Sequence, residues 1–278
     1  MGRRVRAQMV IAILIISPLG IGLAQELRQI LDLRGNWKFE LGDNARWSDP
    51  SYNDSKWDNI YVPSPWEEEG YPGYDGYAWY RKHFRLEHSL GIEPVYLRLG
   101  HIDDAGEVFL NGTPIGFSGR FPPRFYTGAG LTQQCLVPKE LIRYGSDNVI
   151  ALRVYDHYQA GGIVRGEVGL YEPDDYLRPD CDLSGNWKFC PGDEKRWAEE
   201  SFDDSQWRNL RVPGLWELQG YREYDGFAWY RVKFKVPGHL RDKELVLLLG
   251  KIDDVDETYL NGRIIGRTGA IYRGIQKE

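Results

Sequence analysis

The sequence contains a repeat of 150 residues that pairs every tryptophan in the chain with another one. The two sets of five are Trp37, Trp47, Trp57, Trp66 and Trp79, then Trp187, Trp197, Trp207, Trp216 and Trp229. The register holds without an insertion from Asp32/Asp182 to Gly119/Gly269, and half of the aligned positions are identical. Solenoid units repeat every ~20–50 residues. The longer period therefore indicates a duplicated domain, and residues kept in both copies are those that one fold requires.

Composition and alternation predict an all-β chain of two tandem antiparallel jelly-roll β-sandwiches, the second incomplete. The chain has 32 glycines, 15 prolines and 14% aromatic residues, which favours turns and strands. Apolar residues alternate with cationic ones in Tyr230–Val236, the period of a strand. Further strands are expected at 95–99, 148–155 and 245–249. The Asn-Gly dipeptides at 111 and 261 accept the positive φ of a tight hairpin.

Domain one is expected at 32–171 and domain two at 182–278, with a Pro- and Asp-rich linker at 172–181. Copy one continues about 50 residues past Gly119, whereas copy two has nine residues after Gly269. The counterpart of the strand at 148–155 is therefore missing. We expect the chain to be the front part of a longer protein. The alternative is a true terminus whose open edge pairs with another chain, as in a two-domain adhesin.

Residues 1–24 are typical of a secretory signal peptide. Three arginines in the first six residues precede a short apolar run that ends at Ala24. A membrane anchor is disfavoured because Pro18 interrupts the run and a span needs ~20 apolar residues. We therefore expect a periplasmic or extracellular protein that is free of the membrane after cleavage. The net charge of −6, without a basic stripe, argues against nucleic acid as a partner.

The three cysteines offer no clear pairing. Cys181 and Cys190 bracket a predicted strand, whose ends are too far apart for a disulfide. Neither they nor Cys135 have the spacing of a zinc site, and the five histidines have no counterparts in the other copy. The sequence therefore indicates neither a metal-binding cysteine cluster nor a catalytic triad.

Each copy carries the same ordered motifs: Asp-Leu-x-Gly-Asn-Trp-Lys-Phe, Val-Pro-x-x-Trp-Glu, Tyr-Asp-Gly-x-Ala-Trp-Tyr-Arg, and Ile-Asp-Asp followed by Leu-Asn-Gly. This series resembles the N-terminal sugar-binding jelly roll of glycoside hydrolase family 2, the family of β-galactosidases and β-glucuronidases. It is also similar to the jelly roll of sialate O-acetylesterases. The resemblance covers nearly the whole mature chain. It implies galactose-binding-like sandwiches that flank a catalytic domain and help to shape its substrate pocket.

The chain lacks the catalytic motifs of both families. No Asn-Glu dipeptide is present to supply the family 2 acid/base, and no Gly-Asp-Ser or Gly-x-Ser-x-Gly supplies an esterase nucleophile. We therefore expect non-catalytic accessory domains that bind a galactoside, glucuronide or sialoside, with a catalytic domain outside this chain as partner. One alternative is the accessory part of a sialate O-acetylesterase-like enzyme. Another is a structural docking module without sugar binding.

The candidate ligand-binding residues lie on two segments of each copy. Strand alternation places Trp79 on the outer face beside Arg81, where an exposed indole suits stacking on a sugar. The Gly- and Tyr-rich stretch 66–76 is expected to be a surface loop. The full set is Trp66, Glu67, Tyr74, Asp75, Trp79 and Arg81, with Trp216, Glu217, Tyr224, Asp225, Trp229 and Arg231 in copy two. The alternative is structural, with Arg81 reaching across the sheet to a kept carboxylate.

The other tryptophans and acidic residues kept in both copies are expected to be mainly structural. Trp37, Trp47 and Trp57 are assigned to core and strand-edge packing. Asp103 and Asp104, just before the hairpin, are candidates for a structural calcium site because carboxylate oxygens suit that ion. No other cofactor is expected. A hydrolytic carboxylate pair is disfavoured because several of the kept acids lie beside turns, where Asp caps backbone amides.

Overall fold

A computed structural model describes residues 27–87, 94–174 and 178–269, so the predicted signal peptide lies outside the described residues. The chain divides into two compact units, whose described parts are 27–174 and 178–269. None of the helices in these parts has both the length and the apolar character that a bilayer span requires.

Domain one is a sandwich of two antiparallel sheets. Its described strands are β1 (Leu27–Asp32), β2 (Gly35–Leu41), β3 (Asp58–Val62), β4 (Gly76–Arg85), β5 (Val95–Asp103), β6 (Ala105–Leu110), β7 (Thr113–Ser118), β8 (Thr132–Val137), β9 (Asp147–Asp156) and β10 (Gly162–Pro173). One sheet has the order β1-β10-β5-β8 and the other the order β3-β2-β4-β9-β6-β7. The all-β prediction is confirmed, as are the strands expected at 95–99 and 148–155.

The core of domain one lies between the two sheets. Alternate residues such as Leu97 of β5 and Val168 of β10 meet Phe39, Tyr80 and Leu152 of the six-stranded sheet. Each fully buried apolar side chain of this size contributes ~1.5–3 kcal/mol. The strands therefore associate because their inward faces form one continuous apolar surface.

The predicted hairpin of copy one is formed by β6 and β7. Asn111 and Gly112 have φ of 51° and 85°, as a tight turn requires. The Asn111 side chain also accepts a hydrogen bond from the Val149 backbone N–H and donates one to the Leu141 carbonyl oxygen. The turn residue thus also fixes the hairpin against β9.

The β7 strand also packs closely on β8. A Cβ added at Gly116 would lie 2.1 Å from the Sγ of Cys135, so only glycine fits there. Cys135 is buried, and all three cysteines of the chain are free thiols. The close approach of the two sheets at this point therefore depends on a glycine and a small sulfur side chain.

Domain one extends beyond its predicted limits at both ends. Strand β1 pairs with β10 from Leu27 opposite Pro173 to Asp32 opposite Gly169. Glu172, which the sequence analysis assigned to the linker, is buried and pairs with Arg28. These pairings lie outside the repeated segment, so the alignment of the two copies gave no indication of them.

Domain two repeats the first part of the same plan. Its described strands are β11 (Gly185–Pro191), β12 (Arg208–Val212), β13 (Ala228–Arg231), β14 (Asp256–Leu260) and β15 (Arg263–Thr268). Strands β12, β11 and β13 form one sheet in that order, and β14 pairs with β15. Trp187 lies opposite Leu210 as Trp37 lies opposite Ile60, so the strand register is the same in both copies.

Two strand predictions for domain two are wrong. Residues 245–249 form no strand, and Leu245 and Val246 are 51% and 74% exposed. The alternation over 230–236 continues past Arg231, but the strand ends there. In domain one the matching segments pair with β8, β9 and β10. The described part of domain two contains no counterpart of those strands, so the backbone groups lack a ladder to join.

Candidate functional site

The outer face of the six-stranded sheet holds a buried arginine, Arg81 of β4. Its Nε donates to Asp54 Oδ2 at 2.6 Å, and its Nη1 donates to the carbonyl oxygens of Trp47 and Asp49 at 2.5 and 3.0 Å. Burial raises the pKa of Asp54, but the hydrogen bonds from Arg81 and His83 outweigh it and hold that pKa below its usual value. Arg81 is 0% exposed. Its role is therefore that of a structural ion pair, as the alternative interpretation expects.

Domain two contains the same arrangement. The Arg231 Nε donates to Asp204 Oδ2 at 2.8 Å, and its Nη1 donates to the carbonyl oxygens of Trp197 and Glu199. Arg231 is also buried. Both arginines thus tie the loop after the first strand of the repeat to the strand that carries the arginine.

The expectation that Trp79 and Trp229 present an indole to solvent is wrong, because both side chains are buried. Trp79 stacks on Phe109 with ring centroids 5.7 Å apart, and its Nε1 donates to Asp43 Oδ1 at 3.2 Å. Strand alternation gives the correct face of the sheet. A second apolar layer that includes Trp57 covers that face. Neither indole therefore offers a face on which a sugar stacks.

The stretch 66–76 is not a simple surface loop, because its first residue belongs to the core. Trp66 begins a short 3-10 helix, Trp66–Glu69, is fully buried and donates from Nε1 to the Tyr74 carbonyl oxygen at 3.1 Å. A Cβ on Gly161 would lie 2.2 Å from the indole. The buried indole thus holds the stretch against the segment that leads into β10.

The other candidates of this stretch differ in exposure. Glu67 is half-buried and accepts the Gly161 backbone N–H on both carboxylate oxygens at 3.2 and 3.1 Å. Tyr74 is half-buried and donates its hydroxyl to the Tyr77 carbonyl oxygen at 2.8 Å. Asp75 is exposed. Glu67 is therefore fixed by a distant part of the chain, whereas Asp75 faces solvent.

The matching residues of domain two differ from these in the burial of the tryptophan. Trp216, Glu217 and Tyr224 are half-buried, and Asp225 is exposed. The Trp216 Nε1 is buried without a hydrogen-bond partner, in contrast to the Nε1 of Trp66. The second copy therefore holds this segment less firmly than the first.

A cleft of about 380 Å³ opens beside the end of β5 in domain one. Pro65, Ile102 and Val164 give it apolar walls, and Asp103 and Arg165 give it charge. Small-molecule sites commonly occupy ~300–1,000 Å³ and combine apolar walls with a few polar groups. The volume of the cleft therefore falls within the range of small-molecule sites, and its lining is partly apolar and partly charged.

Three carboxylates cluster at the end of β5, and one of them, Asp103, lines the cleft. Asp103, Asp104 and Asp156 each place an oxygen within 4.8 Å of the others. Asp104 accepts hydrogen bonds from Thr127 Oγ1 at 2.6 Å and from the His157 backbone N–H at 3.0 Å. The ends of β5 and β9 bring this acidic cluster together.

Two carboxyl groups of the acidic cluster have pKa values above the usual range of aspartate. Burial, then the hydrogen bond with Asp104, raises the pKa of Asp103 to about 6. Burial raises the pKa of Asp156 to about 7, and the charges of Asp104, Asp75 and Glu67 raise it further. Because Glu67 acts on both groups, the structure brings together residues that the sequence analysis had assigned to two separate sites. Perturbed carboxyl groups in a cleft are typical of binding sites.

The sequence analysis missed Asp156 and Arg165 as site residues. Both follow the segment that the two copies share, so comparison of the copies gave no information on them. The signal available was the position of Asp156 at the end of a predicted strand, next to His157. Residues at strand ends commonly contribute to sites, but that pattern alone does not select this aspartate.

Comparison with known proteins agrees with the sequence motifs. Residues 41–159 match the family model described as the second all-β domain of β-galactosidases. The chain is 25% identical over 158 residues to β-galactosidase BoGH2A of Bacteroides ovatus, an alignment that covers 52% of this chain and 17% of that protein. It is 26% identical over 143 residues to a β-glucuronidase of Formosa agariphila, covering 45% of this chain and 14% of that protein.

Among solved structures, a β-glucuronidase of Bacteroides uniformis aligns with a TM-score of 0.43 and 24% identity, over 52% of this chain and 18% of that chain. The chain thus matches less than a fifth of each of these three proteins. The similarity to sialate O-acetylesterases stays a prediction. The resemblance to the β-sandwich domains of glycoside hydrolase family 2 is confirmed by the match of residues 41–159 to the model of a β-galactosidase all-β domain.

Proposed function

We propose that the chain is the non-catalytic accessory part of an exported family 2 glycosidase, and that domain one binds the sugar of its substrate. The observation that carries the proposal is the cleft bordered by Asp103 and Arg165 in a domain of the family 2 type. The signal-peptide pattern of residues 1–24 supports export. The catalytic groups belong to a further domain, because neither copy contains the motifs that would supply them.

The charge of the cleft favours a neutral galactoside over an anionic sugar. Asp103 lines the cleft with Arg165, Asp104 and Asp156 cluster with Asp103, and the charge of Glu67 also acts on Asp103. Carboxylates accept hydrogen bonds from sugar hydroxyls, whereas the carboxylate of a glucuronide or a sialoside meets like charge. We therefore expect the order galactoside, then glucuronide, then sialoside in affinity.

Titration of the purified chain with methyl β-galactoside, methyl β-glucuronide and a methyl sialoside tests the proposal. Binding is followed by isothermal titration calorimetry and by the chemical shifts of backbone amides. We expect galactoside binding that shifts amides near Ile102 and Val164. Asp103→Asn should weaken that binding about 10-fold, since a lost charge-assisted hydrogen bond costs ~1.5–3 kcal/mol.

The matched control is Asp253→Asn, the same change in domain two. It should leave galactoside affinity unchanged. If none of the three sugars produces heat or a shift, the domain is a docking module for the catalytic part and the binding proposal fails. If both variants weaken binding equally, the cleft of domain one is not the site.

A further inference from the structure

The acidic cluster of domain one has a buried carboxylate oxygen without a partner. Asp156 is 0% exposed, and its Oδ2 makes no hydrogen bond. Its Oδ1 accepts one backbone N–H, from Tyr158 at 3.1 Å. A buried carboxylate normally has its acceptor positions filled, because an unmet one costs ~1–3 kcal/mol or more. The empty position of Oδ2 therefore points to a group that this side chain is arranged to receive.

The positive charge around the cluster is small compared with its negative charge. Arg165 is the cation whose field favours ionised Asp103, and Glu67 opposes it. The hydrogen bonds to Asp104 come from a hydroxyl and a backbone amide, which carry no net charge. Three carboxylates that share one site repel one another strongly unless a cation or protons lie between them.

We propose that Asp103, Asp104 and Asp156 bind one divalent cation, and that this cation is Ca²⁺. The oxygens of one Ca²⁺ shell lie 2.3–2.6 Å from the ion, so two of them are at most about 5 Å apart. The span of up to 4.8 Å in the cluster fits that shell. The ligands of Mg²⁺, at 2.0–2.1 Å, are at most about 4.2 Å apart. An all-oxygen, carboxylate-rich set is the chemistry that Ca²⁺ prefers.

The competing interpretation is that the cluster shares protons. Burial already raises the pKa values of Asp103 and Asp156, so protonation without a metal is chemically reasonable. The two interpretations predict different effects of added Ca²⁺ and of replacing one carboxylate by an amide. A protonated cluster gains nothing from added Ca²⁺, whereas a metal site loses its stabilising ion when one carboxylate becomes an amide. The cation proposal does not rest on sugar binding, since the carboxylates alone define it.

Calcium binding by the whole chain tests the proposal. Equilibrium dialysis of metal-free protein against CaCl₂ should give one Ca²⁺ per chain. The midpoint of thermal unfolding should rise by about 5–11 °C when Ca²⁺ is in ~100-fold excess over its Kd, as binding to the folded state alone requires. MgCl₂ should give a smaller shift. Asp156→Asn should abolish both the bound ion and the calcium-dependent shift.

Domain two provides the matched control. Asp253 and Asp254 are the counterparts of Asp103 and Asp104, and no third carboxylate joins them in the described part of domain two. Asp253→Asn should leave the bound Ca²⁺ and the shift unchanged. Wild-type protein that binds no Ca²⁺ at millimolar concentration, or equal losses in Asp156→Asn and Asp253→Asn, would overturn the proposal. Asp103→Asn gives the same readout if the Asp156 variant does not fold.

Discussion

The two copies make the same contacts on the outer face of the corresponding sheet, and they differ in how fully they enclose one tryptophan on its inner face. On the outer face, Arg81 and Arg231 make the same ion pair and are equally buried. On the inner face, Trp66 is fully buried with its Nε1 bonded, whereas Trp216 is half-buried with its Nε1 unbonded. The copies are half identical in sequence, but domain two does not reproduce the full burial of this tryptophan.

The difference follows from how far along the chain each contact reaches. The arginine contacts a carboxylate 27 residues before it, so each copy contains both partners. The indole of Trp66 lies against Gly161, and the core around it includes Leu97 and Val168 from later strands. The described residues of domain two contain no strand that matches β10. A local unit forms wherever its own sequence is present, whereas a core requires every strand that contributes to it.

The largest expected effect comes from breaking the feature that the copies share. Arg81→Met or Arg231→Met leaves a buried aspartate unpaired, which should lower the free energy of unfolding of the altered domain by ~3–5 kcal/mol. Hydrogen–deuterium exchange of peptides from β2 and β11 reports each domain separately. The two losses should agree within ~1 kcal/mol. A loss in one copy that is twice the loss in the other would mean that the pairs are not equivalent.

The next largest effect should differ between the two domains, because it comes from the tryptophan that only domain one buries fully. Trp66→Ala removes a fully buried indole and should cost domain one ~3–5 kcal/mol. Trp216→Ala should cost domain two at most half as much, because its side chain is already partly in water. Urea unfolding followed by the exchange of domain-specific peptides measures both. Equal costs would show that domain two encloses Trp216 more fully than the structure indicates.

The smallest effect concerns pH. Burial lowers the pKa of His83, but hydrogen bonds to Asp147 and Asp54 outweigh it and raise that pKa above its usual value. The charged histidine thus stabilises domain one below pH ~6.5, and this contribution is lost as the pH rises through the folded pKa. Lys233 holds the matching position in domain two, with its Nζ 3.9 Å from Asp204 Oδ1.

His83→Lys should therefore remove this pH dependence from domain one. The side chain is 40% exposed, so the effect should stay below ~1 kcal/mol. Exchange rates measured between pH 5 and pH 8 in wild type and variant provide the check. A slope of stability with pH that is unchanged in the variant would assign it to another group.

Residues with a local or periodic pattern were predicted correctly from sequence. The repeat, the Asn111-Gly112 hairpin and the strands around Leu97 and Leu152 all follow from short-range rules. The strand expected at 245–249 failed because an apolar run forms a strand only when neighbouring strands supply a ladder. The predicted exposure of Trp79 was wrong for a related reason. Strand alternation gives the face of the sheet on which a side chain lies, but not the residues that cover that face.

The candidate site was only partly predictable. Glu67 and Asp103 were selected because both copies keep them, but sequence placed them in different sites. Their proximity arises from the meeting of a 3-10 helix with the end of β5, which depends on the burial of Trp66. Asp156 completes the acidic cluster from a strand that only the first copy contains among the described residues. Long-range assembly of this kind leaves no short motif.

Because Cys135 is buried against Gly116, the rate at which its thiol is alkylated reports local opening of domain one. Burial raises its pKa to about 12, so it carries almost no reactive thiolate at neutral pH. Cys181 and Cys190 are half-exposed and accessible to an alkylating reagent from the start. The modification of Cys181 and Cys190 therefore serves as the reference for a thiol that needs no opening of the fold. The slower modification of Cys135 measures how often β8, the edge strand of the four-stranded sheet, separates from its neighbours.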